Sequence, residues 1–222
     1  MDHPLKHFPL LIPMLKTLTK ERIGDIFASA VGELEKRQEE LNRLDAAVGD
    51  GDHGTSIVKA MRAAAEAVRA DGSFKDVLYN AGFAAESQDC GSTSSLIGSF
   101  YEGMSEAVTS EEMGTDDVIR MFSVGLACVE KLTRAQVGDK TLMDALIPAV
   151  NRMQSMLDCG ASLADVFEEA ASAAQFGAES TLGYVARFGR AKNLGERTKG
   201  HLDPGAVSMA IVFRAFADRF KL

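Results

Sequence analysis

Residues 20–41 read KERIGDIFASAVGELEKRQEEL. Ile23, Ile26, Phe27, Ala30, Leu34 and Leu41 recur at the spacing that lines side chains along one face of an α-helix, and no proline interrupts them. The signature returns down the chain. Ile57, Met61, Ala64, Ala65 and Val68 form a second stripe, and Phe74, Val77, Leu78, Ala81 and Ala85 a third. Leu96, Ile97, Phe100, Tyr101 and Met104 form a fourth, and Val118, Met121, Phe122, Val129 and Leu132 a fifth. Leu142, Leu146, Val150, Met153 and Leu157 form a sixth; a long seventh runs from Val166 through Phe167, Ala170 and Ala174 to Tyr184 and Val185. The eighth spans Pro204 to Phe220, with Val207, Ile211, Ala215 and Phe216 inward. No segment sustains strand alternation. Stop and start signals fall between the stripes: Asp71-Gly72-Ser73, Gly114-Thr115-Asp116, Cys159-Gly160-Ala161-Ser162, and Asp203 as an N-cap before Pro204. The spacing therefore predicts an all-α domain of about eight helices, antiparallel because the loops are short.

The 222 residues suffice for one well-buried core. Residues 1–19 read as a lead-in: His7-Phe8-Pro9-Leu10-Leu11-Ile12-Pro13-Met14-Leu15 is apolar but broken by two prolines, with no small-residue cleavage site. Residues 20–222 read as the helical domain. Three cysteines, Cys90, Cys128 and Cys159, match neither a compact metal motif nor a disulfide scaffold, and the expected compartment is the cytoplasm. No uncharged run approaches membrane-spanning length. With 24 Lys and Arg against 32 Asp and Glu, the net charge is −8, which argues against binding polymeric nucleic acid. It leaves a metal-bridged phosphate ligand open.

Chemistry concentrates in the glycine-rich loops. Leu44-Asp45-Ala46-Ala47-Val48-Gly49-Asp50-Gly51-Asp52-His53-Gly54-Thr55 carries three carboxylates within eight residues. On a continuous helix Asp50 would point away from Asp45 and Asp52; the glycines imply a loop that can turn all three inward. Clustered carboxylates need a nearby cation to stay ionised together, and hard oxygens suit Mg²⁺ or Ca²⁺. An EF-hand fails, because the twelfth positions are Ser56 and Met61 instead of Glu. Zinc fails for want of soft ligands beyond His53. From spacing alone, a solvated Asx-rich turn capping the helix near His53 fits as well as a cation site.

Gly91-Ser92-Thr93-Ser94-Ser95 precedes an apolar helix and suits either a phosphate at its N-terminus or an ordinary Ser/Thr cap. Gly138-Asp139-Lys140-Thr141 resembles the end of a Walker A loop, but position 133 is Thr and no strand precedes it. It is no P-loop; Asp139 or Thr141 reads as a helix cap.

Taken together, these stretches resemble the ADP-binding L subunit of bacterial dihydroxyacetone kinase, the DhaL family. The matching segments are Leu41-Asn42-Arg43-Leu44-Asp45 with Gly49-Asp50-Gly51-Asp52-His53-Gly54, and Gly138-Asp139-Lys140-Thr141 with Asp144. Gly189-Arg190-Ala191, Leu194-Gly195-Glu196-Arg197 and His201-Leu202-Asp203-Pro204-Gly205-Ala206-Val207-Ser208 complete them. The chain departs from the family at two places. Cys90-Gly91-Ser92-Thr93-Ser94-Ser95 stands where Gly-Gly-Ala-Ser-Gly-Pro is common, and Ala191-Lys192-Asn193-Leu194 replaces Ala-Ser-Tyr-Leu.

The resemblance implies an eight-helix antiparallel barrel with a nucleotide in the loops at one end. It implies Asp45, Asp50 and Asp52 as ligands of two Mg²⁺ ions, with His53 beside the phosphates as a fourth catalytic residue and Thr55 next to it. Gly91, Thr93 and Ser94 would wrap phosphate oxygens. Arg190, Asp203 and Gly205 would surround the nucleotide, with Leu142 and Met143 against the base. The implied activity is phosphoryl transfer from ATP or phosphorylated ADP to a short ketose held on a separate K subunit, so that the chain acts only with partners. A phosphotransferase-system M subunit would recharge bound ADP in the relay type. Two other classes compete: a nucleotide-loaded module docking on a transcriptional regulator, and a non-catalytic helical scaffold.

Overall fold

The computed structural model describes residues 16–221; most of the apolar lead-in lies outside them. Its last part does not: Leu18–Thr19 forms strand β1, paired antiparallel with β2, Glu112–Met113. Leu18 is fully buried, and the Thr19 hydroxyl caps the first helix by accepting from Arg22 N.

The helices follow the apolar stripes: α1 Lys20–Lys36, α2 Gln38–Ala46, α3 His53–Ala67, α4 Phe74–Glu86 and α5 Gly91–Glu106. After β2 come α6 Thr115–Leu132, α7 Met143–Gln154, α8 Leu163–Ser180 and α9 Pro204–Phe220. The expected first helix is divided at Arg37, which leaves helical geometry (φ −107°, ψ 7°) and turns the chain so that Leu41 still faces the core. Ser73 and Ser162 each close a capping box, with Asp76 and Asp165, and Asp203 accepts from Ala206 N ahead of Pro204.

The expected seventh helix is shorter than its apolar pattern. α8 ends at Ser180, and Tyr184 and Val185 belong to an irregular strap, residues 181–203, with short 3₁₀ turns at Thr181–Gly183 and Ala191–Thr198. Tertiary bonds accompany the stop: Lys140 Nζ donates to the Thr181 carbonyl and Gly200 N to the Leu182 carbonyl, the acceptors that the next helical turn would use.

Each helix packs on its neighbours in sequence, α1 on α3 across the offset α2, and α9 closes the ring onto α1. This is an eight-membered antiparallel barrel filled by aromatic side chains. Phe122 sits at its centre, with the rings of Phe100, Phe167, Phe213 and Phe216 at 5.7, 5.7, 5.8 and 5.2 Å. Glycines set the closest helix approaches. A Cβ on Gly98 of α5 would lie 2.7 Å from the Gly82 carbonyl of α4, and one on Gly82 would lie 2.6 Å from the Gly98 carbonyl. Pro148, inside α7, has no N–H for the carbonyl of Asp144, and Gly177 of α8 is packed so tightly on that carbonyl that a Cβ would collide with it.

Alternation around the ring has one consequence for chemistry. The N-termini of α3, α5, α7 and α9 all open at the same end, where α2, α4, α6 and α8 finish. Positive ends of four helix dipoles therefore face one mouth. Among the described residues no helix is long and apolar enough to cross a membrane.

Candidate functional site

The acidic loop lies at that mouth and is held by its own first carboxylate. Asp45, in the last turn of α2, accepts at Oδ2 from the backbone N–H groups of Gly51 (2.9 Å), Asp52 (3.0 Å) and His53 (3.3 Å). Two glycines permit this fold-back. Gly51 has φ +82°, and a Cβ at Gly49 would strike the Asp45 carboxylate. The capping reading is thus realised by Asp45 acting from α2, since the Asp52 side chain makes no cap bond. The gathered-carboxylate arrangement is realised at the same time: one oxygen each from Asp45, Asp50 and Asp52 lies within 4.8 Å of the others. Asp50 and Asp52 are exposed and Asp45 half-buried. The guanidinium of Arg190, carried by the strap, forms an ion pair with Asp50. An all-oxygen donor set of this charge and spacing, open to solvent, fits Mg²⁺.

His53 ties three helix N-termini together. Its Nε2 lies 2.9 Å from Ser208 Oγ in α9, and its Nδ1 lies 3.4 Å from Thr93 Oγ1 in α5. Ser208 donates its proton to the Gly205 carbonyl (3.0 Å), so its oxygen accepts from His53 Nε2–H. Nδ1 then carries the lone pair and accepts from Thr93. Desolvation lowers the imidazole pKa to about 4, against a smaller opposing pull from Asp45, so His53 is neutral at neutral pH. Thr55, one turn into α3, is exposed; Asn42 of α2 caps it by accepting from Thr55 N at 3.1 Å.

The Gly91 loop divides. Gly91 (φ +61°) is exposed and Thr93 half-buried, so both face the mouth. Ser94 does not: it is 1% exposed, accepting from Cys90 N and donating to the Gly91 carbonyl, and it serves as the internal cap of α5.

At α7, Leu142 is half-buried and meets α9, because a Cβ on Gly205 would lie 3.3 Å from Leu142 Cβ. Met143 is 0% exposed and belongs to the core, so it presents nothing to a ligand here. Of the two alternative caps, Asp139 and Thr141, Asp139 does not serve. Asp139 instead bonds Gln136 N and Arg187, while Thr141 accepts from Met143 N, and Asp144 reaches back to Gly138 N and Thr141 N at 2.6 Å each. Asp144, Lys140 and Asp203 form a charged layer beneath the mouth. Burial raises the Asp144 carboxyl, lowers the Lys140 ammonium and pushes Asp203 up to about 6. Ser208, Asn42 and Lys140 are the polar residues that site reasoning from sequence misses, although all three stand inside the quoted motifs.

The mouth gathers in space the loops quoted from the sequence, and the chain matches the DAK2 domain over residues 47–218. The chain belongs to the DAK2 domain family. The "PEP-dependent dihydroxyacetone kinase 1, ADP-binding subunit DhaL" of Listeria innocua is 34% identical over 186 residues, spanning 82% of this chain and 87% of the relative. The corresponding ADP-binding subunit of Escherichia coli K12 is 32% identical over 199 residues, 88% and 91% of the two chains. The crystal structure of the dihydroxyacetone kinase of C. freundii in its native form superposes with a TM-score of 0.68 at 27% identity. That match covers 88% of this chain and 34% of the C. freundii chain. The DAK2 fold is all-α, and this member carries its acidic loop, strap and Asp203–Ser208 turn at one end of its barrel.

Proposed function

We propose that this DAK2 domain is the nucleotide-binding L-type subunit of a dihydroxyacetone-type kinase. In this reading residues 20–222 act as one nucleotide-binding unit and pass a phosphoryl group to a short ketose on a separate K subunit. The observation that carries it is the gathering of Asp45, Asp50 and Asp52, with Arg190 above them, where four helix N-termini converge. An acidic cluster alone would repel a nucleotide; helix dipoles and a guanidinium beside it favour phosphates once the carboxylates are charge-compensated. The names of the similar ADP-binding subunits point the same way.

Asp45, Asp50 and Asp52 would hold Mg²⁺, which neutralises charge on the transferring phosphates. Gly91 and Thr93 supply an N–H and a hydroxyl at the start of α5. Arg190 pairs with phosphate oxygens, exchanging Asp50 for them. Leu142, packed on Gly205, offers an apolar edge for the base. Neutral His53 adds no charge; it fixes the Thr93 hydroxyl and locks α3 to α9. In this reading the phosphoryl group passes between nucleotide and ketose without a covalent intermediate on this chain.

Titration calorimetry with ADP, with and without Mg²⁺, tests the reading. Binding that needs Mg²⁺ supports it, and no heat at millimolar nucleotide overturns it. Phosphoryl transfer to dihydroxyacetone on adding a K subunit, charged by ATP or by an M subunit, then identifies the donor.

A further inference from the structure

Lys140 has an unusual position. It is 2% exposed, and its backbone is left-handed, with φ +62°, although it is not glycine. Such a conformation persists where the surroundings over-determine it. Among the described residues its ammonium forms no ion pair. It donates to two backbone carbonyls, those of Thr181 at 2.6 Å and of His201. These carbonyls lie at opposite ends of the 181–203 strap. The strap's ends also bond each other, Gly200 N to the Leu182 carbonyl at 2.8 Å and Asp203 N to Thr181 Oγ1 at 2.9 Å. Its middle is tied by Ala186 N to Thr198 Oγ1 at 3.0 Å.

The residue before Lys140 holds the strap between those ends. The Asp139 carbonyl accepts from Arg187 N and its carboxylate from Arg187 Nη1, both at 3.1 Å. Two consecutive residues thus fasten the strap at three points, and Arg190 stands three residues beyond the third. Asp144 in turn holds the Gly138–Thr141 loop rigid through two short bonds.

We propose that the Gly138–Thr141 loop is a clamp on the strap and that Lys140 is the positioning residue that sets where Arg190 stands over the acidic cluster. The part of this inference that concerns ligand binding rests on the function proposed above; the part that concerns strap order does not. Lysine suits the task because its three donors can satisfy both carbonyls at once, and the carboxylates of Asp144 and Asp203 offset its buried charge.

The test uses the full chain carrying Lys140→Met, Arg187→Met, Arg190→Gln, or Lys140→Met with Arg190→Gln. Without nucleotide, amide hydrogen exchange should quicken about tenfold across residues 184–199 in Lys140→Met while α3 and α5 keep their protection. Equal quickening throughout the barrel, or none in the strap, overturns the clamp. In Mg-ADP titrations, Lys140→Met should weaken binding about tenfold in the wild-type background and by less than about twofold in the Arg190→Gln background. Equal weakening in both backgrounds overturns the positioning role. Arg187→Met, altered at an exposed side chain, should show both effects in smaller measure, and it decides the matter if Lys140→Met does not fold. Absence of nucleotide binding in the wild type removes the proposed function while the exchange comparison still decides the clamp.

Discussion

Arg190 and Asp50 are ion-paired across the mouth of the barrel, joining the strap to the acidic loop. Both side chains remain well exposed, at 72% and 40%, so solvent screens the pair and it contributes little to stability. Its value is positional, because it holds over the carboxylates the guanidinium that we propose pairs with phosphate. Arg190→Gln should therefore leave the melting temperature of the nucleotide-free protein nearly unchanged, within about 0–1 kcal/mol of stability. It should reduce the extra thermal stabilisation given by Mg-ADP. A melt series with and without ligand checks both halves.

The three aspartates should separate in stability while agreeing in function. Asp45 accepts three amide bonds, and Asp45→Ala should cost about 1.5–3 kcal/mol in denaturant unfolding, as for other bonds to a charged acceptor. Asp50→Asn and Asp52→Asn should fall within about 0.5 kcal/mol of wild type, since both groups are exposed. All three should lose Mg²⁺-dependent nucleotide binding. Retention of that dependence in Asp50→Asn would show that the cluster is not the cation site.

His53 should appear in nitrogen-15 NMR spectra at neutral pH as the neutral tautomer protonated at Nε2. Ser208→Ala removes the acceptor that selects this form, and the Nδ1-protonated form should then rise. An imidazolium signal at pH 7 would contradict the buried environment that lowers its pKa to about 4.

Asp203 supplies a pH signature. Burial lifts its folded pKa to about 6 from an ordinary 3.8, so between these values the native state holds a proton that the unfolded state has released. The resulting stabilisation is complete below pH 3.8 and is lost as pH rises through 6. Asp203→Asn keeps an oxygen for Ala206 N and does not ionise. Its melting temperature relative to wild type should climb between about pH 4 and 7 in metal-free buffer. A flat difference would mean that Asp203 does not titrate in that window.

Gly98→Ala should destabilise the barrel by about 1–3 kcal/mol, because the added methyl meets the α4 backbone at Gly82 and neither helix can yield alone. Chemical denaturation measures this directly.

Helical class, the number of barrel staves and most helix ends were legible in the sequence, because apolar periodicity and capping residues act locally. Asp203 caps as read, and Ser73 and Ser162 cap within stretches read as start signals. The acidic loop was legible as a loop, since its closely spaced glycines disfavour a continuous helix, but its two readings could not be separated by spacing. The structure shows why: Asp45 caps the turn and gathers the carboxylates in one act.

Residue-level roles failed where burial decides. Thr93 and Ser94 are chemically alike neighbours, yet only Thr93 meets His53, because helix α5 turns Ser94 inward. Leu142 and Met143 divide in the same way at the start of α7. Tyr184 and Val185 fit the apolar stripe of α8 and still leave it, because Lys140 and Gly200, distant in sequence, bond the Thr181 and Leu182 carbonyls that the next helical turn would use. Periodicity and caps are properties of neighbours along the chain, so the sequence by itself determined an all-α domain of about eight helices with polar glycine loops. Which loops share an end, which hydroxyl meets the imidazole and which lysine fastens the strap depend on contacts between distant residues, and only the closed barrel decided those.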